Sequence, residues 1–155
     1  MISTELLRQY PFFGLLDAAQ LREIAMISDE VFFAENEKIF DKDSPAKALY
    51  FLLEGGISLF YTGENSHSQA NNKGIPVGEI NPGEPFSISA LIPPHTLTAT
   101  AWSTKPSRTI KIDALLLRNL IKKDPQMAYV LTLKAAQAAI ERLHATRVQL
   151  AAAWA

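Results

Sequence analysis

From Val31 to Ile112 the chain is cut into short apolar segments separated by turns, and this constrains its fold more than any other feature. Val31-Phe32-Phe33 and Ile39-Phe40 are divided by the polar Glu35-Asn36-Glu37-Lys38, and Asp41-Lys42-Asp43-Ser44-Pro45 is a second turn by composition. The strongest strand runs from Ala48 to Leu53 and ends at Gly55-Gly56, with a partner strand expected from Ile57 to Tyr61. Thr62 to Gly74 is polar and reads as a long exposed hairpin loop. Val77 to Ile80 follows as a short strand, then a turn at Asn81-Pro82-Gly83. Pro85 to Leu91 and Leu97 to Trp102 flank the break at Pro93-Pro94, and Arg108 to Ile112 alternates like a half-buried strand. Many short strands with regular turns build a sandwich or barrel, not a parallel sheet wound with helices.

Helices flank this region. Ser3 or Thr4 is placed to cap a first helix, which stops at Tyr10-Pro11 because a residue before proline avoids the helical region. Asp17 and Gln20 form a capping-box pattern for a second helix, with Leu21, Ile24 and Ala25 on its buried face. Asp113 caps a third, reaching roughly Lys123, and Asp124-Pro125 supplies an N-cap and a first-turn proline for a fourth. Nothing breaks that last helix before Trp154, a length of about seven to eight turns.

The last helix carries a heptad seam. Leu133, Ile140, Arg147 and Trp154 take the a positions, and Ala136, Leu143 and Leu150 take d. Such a seam either packs on its own domain or pairs with a second helix. The helix is longer than a small domain needs for cover, and a polar residue at an a position sets register and oligomer state. Both point to a parallel homodimer through this helix.

Composition bounds the function. At 155 residues the chain fits one domain, and 48% hydrophobic residues suffice for a core. A net charge of −1 with no basic run offers nothing to a nucleic acid. The absence of cysteine excludes disulfides, thiolate metal sites and cysteine nucleophiles. There is neither a secretory signal pattern nor an apolar run near the ~20 residues a membrane span needs, so a cytoplasmic protein with no membrane partner is expected.

The order of elements, with LYFLLEGGISLFY, GEPF and an RLxxT helix, resembles the cyclic-nucleotide-binding domain of the catabolite-activator (Crp/Fnr-like) class. The resemblance implies an α+β fold over residues 1–155. N-terminal helices occupy 1–30, a double-stranded β-roll (a jelly-roll barrel) 31–112, and C-terminal helices 113–155. It also implies a phosphate-binding cassette between two roll strands. There an arginine neutralises the cyclic phosphate through charge-assisted hydrogen bonds, and a glutamate accepts from the ribose hydroxyl.

The matching residues are Phe86, Ser87, Ile88, Ser89, Ala90 and Leu91, then Leu97, Thr98, Ala99 and Thr100. Ser87 replaces the cassette glycine, Ile88 the glutamate and Leu97 the arginine. Asn36 and Lys42 stand near two glycines of the family's first turns, and asparagine tolerates a left-handed backbone. Each lost hydrogen bond to a charged group costs roughly 1.5–3 kcal/mol. Two losses weaken binding by about two to four powers of ten if they add. Thr146, in Arg142-Leu143-His144-Ala145-Thr146, matches the position that contacts the nucleotide base, and Arg147 is a candidate substitute cation. The family's DNA-reading helix-turn-helix would begin where the chain ends at Ala155, so no DNA-contacting module is expected.

No catalytic or metal constellation stands out. His67, His95 and His144 lack ligand spacing, and there is no HExxH, G-x-S-x-G or phosphate loop. The sequence therefore predicts a non-enzymatic, standalone regulatory domain that is dimeric and carries a degenerate cassette. It would sense a small ligand, either a cyclic nucleotide or a non-standard one, and report to a partner protein. The alternatives are a non-binding dimerisation module of the same fold and the sensing part of a Crp/Fnr-type transcription regulator.

Overall fold

A computed structural model describes residues 1–63 and 73–155. Ser3 caps α1 (Thr4–Arg8) by accepting from the Glu5 N–H at 3.1 Å. Tyr10 is extended before Pro11, as a residue preceding proline should be, and Pro11–Phe13 then form a single 3-10 turn. Asp17 caps α2 (Ala18–Met26). The side chains of Asp17 and Gln20 accept from each other's backbone N–H at 2.8 and 2.9 Å. Leu21, Ile24 and Ala25 are buried, the stripe their spacing predicts.

Six strands follow: β1 (Ser28–Phe33), β2 (Lys38–Phe40), β3 (Ala48–Tyr61), β4 (Ile75–Ile80), β5 (Pro85–Phe86) and β6 (Thr100–Asp113). They form one antiparallel system in the order β1-β6-β3-β4, with β2 added to β6 and β5 to β3. Pro76 is tolerated inside β4 because that strand lies at the end of the order. β3 and β4 pair up to Tyr61 and Ile75. Residues 64–72 of the loop expected between them, His67 included, lie outside the described residues.

Two strand expectations are corrected. Ala48–Leu53 and Ile57–Tyr61 do not pair with each other; they are the two halves of one strand of 14 residues. Both halves pair with β6, from Ala48↔Asp113 to Phe60↔Thr100. Residues 100–113 are likewise one continuous strand, and Leu97 lies outside it. The physical reason sits at Gly55, where the ladder shifts register and φ is +105°. A Cβ there would lie 2.3 Å from Ser107 Oγ and 2.6 Å from the Pro106 carbonyl oxygen. The glycine permits close approach of two bent strands and does not reverse the chain.

The first half of β3, Ala48–Leu53, is buried on both faces, which explains its unbroken apolar sequence. Leu49, Phe51 and Leu53 join Phe12, Phe13, Ile24, Leu117 and Leu131 in a cluster beneath the helices. Tyr50, Leu52 and Ile57 pack with Ile80, Phe86 and Ala101 inside the roll.

Asp113 caps α3 (Ala114–Lys123) through the Leu116 N–H at 2.9 Å. Asp124 caps α4 (Pro125–Ala153) through the Met127 N–H at 3.0 Å, with Pro125 in the first turn. The second oxygen of Asp124 accepts from Gln20 Nε2 at 3.0 Å, tying α2 to α4. The Gln20 bond first, then the Met127 N–H, hold this carboxyl below the usual carboxylate range. With the folded value depressed, the tie contributes fully above the ordinary range and is lost as acidification protonates the group. No helix among the described residues is long and apolar enough to cross a membrane.

Replacing Gly55 by alanine should destabilise the domain by about 1–3 kcal/mol, because it combines left-handed strain with a backbone clash. Urea unfolding measures this, and an unchanged midpoint would show that the bend does not require glycine.

Candidate functional site

The site begins where β5 pairs with the first half of β3, placing Phe86 opposite Tyr50. Their rings stack with centroids 5.0 Å apart. The chain then turns through Ser87 in the left-handed region at φ +61°. That conformation costs a non-glycine residue about 1–2 kcal/mol. Here the Ser87 hydroxyl offsets part of the cost by donating to the Ala48 carbonyl at 2.7 Å. A 3-10 turn, Ile88–Ala90, follows, with Ala90 and Leu91 packed into the helix-side cluster.

The returning segment is stitched to the second turn of the roll. The Asp43 N–H donates to the Leu97 carbonyl at 2.8 Å, and the Leu97 N–H to the Ser44 carbonyl at 2.9 Å. The Lys42 N–H donates to Thr100 Oγ1 at 2.9 Å. The left-handed residues of the first two turns are Asn36, as expected, and Asp43, one position beyond Lys42. Aspartate tolerates that conformation better than lysine, since its short polar side chain bonds locally. His95 lies at the loop's tip, its Nδ1 3.1 Å from the Ser89 carbonyl oxygen.

Between this segment and α4 lies a cavity of about 230 Å³. Of the ten cassette residues expected from sequence, Ser87, Ile88, Ser89, Leu97, Thr98 and Ala99 line it, with Phe40, Leu59, Ala139 and Arg142. Phe86, Ala90 and Leu91 are core residues instead, and Thr100 starts β6. Ile88 and Leu97 are thus brought to one cavity and make its wall apolar.

Arg142 is the residue the sequence reading passed over. Its guanidinium donates to the Pro85 carbonyl, while its Nε is buried without a partner. Burial pushes the guanidinium below its ordinary value, against the opposing fields of Glu84 and Glu141. A signal was available. Val130, Leu131, Ala135 and Ala138 are the buried stripe of α4, and position 142 continues it by one turn. Arg147, the expected substitute cation, is exposed and does not line the cavity. It lies five residues on, about 140° around the helix from Arg142.

Thr146 is also outside the cavity. It lines a second pocket of about 200 Å³ with Val77, Gly78, Ala145 and the other side of Arg142, and its hydroxyl donates to the Arg142 carbonyl at 2.8 Å. Of the heptad seam, Leu133 is half-buried, while Ala136, Ile140, Leu143, Arg147, Leu150 and Trp154 are exposed. That face lies about half a turn from the stripe that packs on the roll. No group of three or more metal-ligating side chains occurs among the described residues.

The cavity lies between a roll turn and a long helix, and comparison with known proteins gives the family. The cyclic nucleotide-binding domain matches residues 30–124, more than half of the chain. A protein of Geobacter metallireducens GS-15 assigned as a cyclic nucleotide-binding protein is 39% identical, with a TM-score of 0.81. The match covers 93% of this chain and 100% of that one. The chain belongs to the cyclic nucleotide-binding domain family.

Two more distant structures share the fold. The sensor domain of the transcriptional regulator DNR from Pseudomonas aeruginosa is 20% identical, with a TM-score of 0.68. That match covers 87% of this chain and 91% of the other. The regulatory domain of Toxoplasma gondii PKA, solved with cAMP, is 16% identical with a TM-score of 0.68. It covers 86% of this chain and 48% of the other. No curated protein matches the sequence significantly.

A half-buried cation whose Nε–H finds no acceptor among the described residues is a poor stabiliser. Arg142→Met, which keeps the stem and removes the charge, should leave stability within about 1 kcal/mol of the wild type or raise it. Urea unfolding without added ligand is the check. A loss of several kcal/mol would mean that Arg142 holds the fold together.

Proposed function

We infer that this chain is a non-catalytic, ligand-responsive regulatory domain that works as a homodimer through α4. One observation carries the reading: α4 contributes Ala139 and Arg142 to the cavity, while the exposed Ile140, Leu143, Leu150 and Trp154 lie on another face of the same helix. A ligand that repositions the cassette against α4 therefore acts on the element that meets the second copy. The exposed residues follow the heptad spacing of a two-helix seam, and Arg147 sits among them as a polar a-position residue that sets register.

The cassette is degenerate on this reading. Ile88 and Leu97 occupy the places where the family's glutamate and arginine hold a cyclic nucleotide, and both are among the residues that line the cavity. The ligand is then a non-standard one, and ordinary tight binding of cyclic AMP or cyclic GMP is not expected. The output passes to a partner protein.

Light scattering at micromolar concentration should give a dimer, and Leu143→Asp should give a folded monomer. A monomeric wild type would overturn the dimer. In a thermal-shift screen of nucleotides and metabolites, a ligand at a hundred times its dissociation constant stabilises by about 2.7 kcal/mol. Silence across the screen would favour a non-binding dimerisation module.

The double substitution Ile88→Glu, Leu97→Arg restores both charges. It should strengthen cyclic-nucleotide binding by about two to four powers of ten, read by calorimetry. No gain in a folded double variant would count against this placement of the cassette.

A further inference from the structure

The cavity is lined by a charge that no carboxylate among the described residues touches. Arg142 lines it and, among the described residues, forms no salt bridge. Its Nε–H is buried without an acceptor. Buried polar groups are nearly always satisfied, yet none of the described residues accepts from this Nε–H, and the same guanidinium lines the cavity. The nearest acidic groups act only through their fields: Glu84 is engaged by the Asn81 N–H at 2.8 Å, and Glu141 is exposed.

The rest of the lining describes the ligand's body. Phe40, Leu59, Ile88, Leu97 and Ala139 are apolar, and Ser87, Ser89 and Thr98 bring hydroxyls. The Ser87 hydroxyl is already spent on the Ala48 carbonyl. At about 230 Å³ the space falls below the roughly 300–1,000 Å³ usual for drug-sized ligands. A few-carbon body fills the part beside Arg142, and a further cavity of about 330 Å³ that shares Phe40, Ser87 and Leu97 adjoins it.

We propose that this cavity binds a compact organic carboxylate, its anionic end paired with Arg142 of α4 and its short apolar body against Ile88 and Leu97. The inference rests on the ligand-sensing reading above and sharpens it. The cation is supplied by the helix instead of the cassette. Ile88 is what leaves Arg142 available, because a glutamate at that position would face it across the same cavity.

The test uses the whole chain, with butyrate and its uncharged counterpart butyramide as probes and inorganic phosphate as a third arm. Binding is read by calorimetry and by the Nε–Hε NMR resonance of Arg142, assigned from its loss in Arg142→Lys. Butyrate should bind and shift that resonance. Butyramide and Arg142→Met should each bind about ten- to a hundredfold more weakly. Ile88→Glu, which supplies an internal carboxylate, should abolish butyrate binding even if Arg142→Met fails to fold.

Equal binding of butyramide and butyrate, or butyrate binding that leaves the Arg142 resonance unmoved, would overturn the proposal while leaving a ligand-sensing domain intact. Phosphate binding tighter than butyrate would replace the carboxylate by a phosphate and overturn the organic-acid assignment. No binding in any arm, together with silence in the metabolite screen, would overturn both readings.

Discussion

β3 and β6 are hydrogen-bonded antiparallel from Ala48↔Asp113 to Phe60↔Thr100, and they bend together where Gly55 meets Pro106 and Ser107. Two strands of 14 residues could not close a roll if they stayed straight. The bend lets the first halves lie under the helices and the second halves carry β4 and β2. The first half of β3 has two buried faces, so that alternate residues of one strand serve both apolar clusters. The far end of β6 delivers Asp113 as the cap of α3, and Asp124 then starts α4.

The cavity inherits its position from that ladder. β5 adds to β3 at Tyr50 and Phe51, so Ser87 and the turn after it emerge beside the roll wall and beneath α4. Ser87 carries a left-handed backbone there, and its bond to the Ala48 carbonyl ties the turn to the first residue of β3. Opposite stands Arg142, an incompletely satisfied cation whose burial is unfavourable to its charge. The two sides of the cavity therefore differ in kind. The cassette side carries small hydroxyls and apolar groups, and the charge comes from the helix. On the reading proposed here, that asymmetry puts the strongest ligand contact on the element that meets the second copy.

Much of the frame was legible in the sequence because it rests on local chemistry. Ser3, Asp17, Asp113 and Asp124 cap the helices predicted for them, since a side-chain oxygen next to a free N–H is a short-range event. Gly83 marks its turn for the same reason, with φ +92°. The strand boundaries were less legible. Gly55-Gly56 looks like a chain reversal in one dimension, and only the neighbouring strand, crowding to 2.3 Å of a missing Cβ, makes it a bend.

The sequence by itself determined the helix caps, the turns and a many-stranded sandwich or barrel, along with the apolar residues at positions 88 and 97. Those follow from turn chemistry, capping and periodicity, which act between residues a few positions apart. Tertiary structure alone decided that β3 and β6 each run unbroken. It also decided that Arg142 and not Arg147 reaches the cavity. The two arginines stand on one helix with the same charge and similar neighbours. About 140° of helical rotation separates them, and which direction is inward depends on where the roll lies against α4.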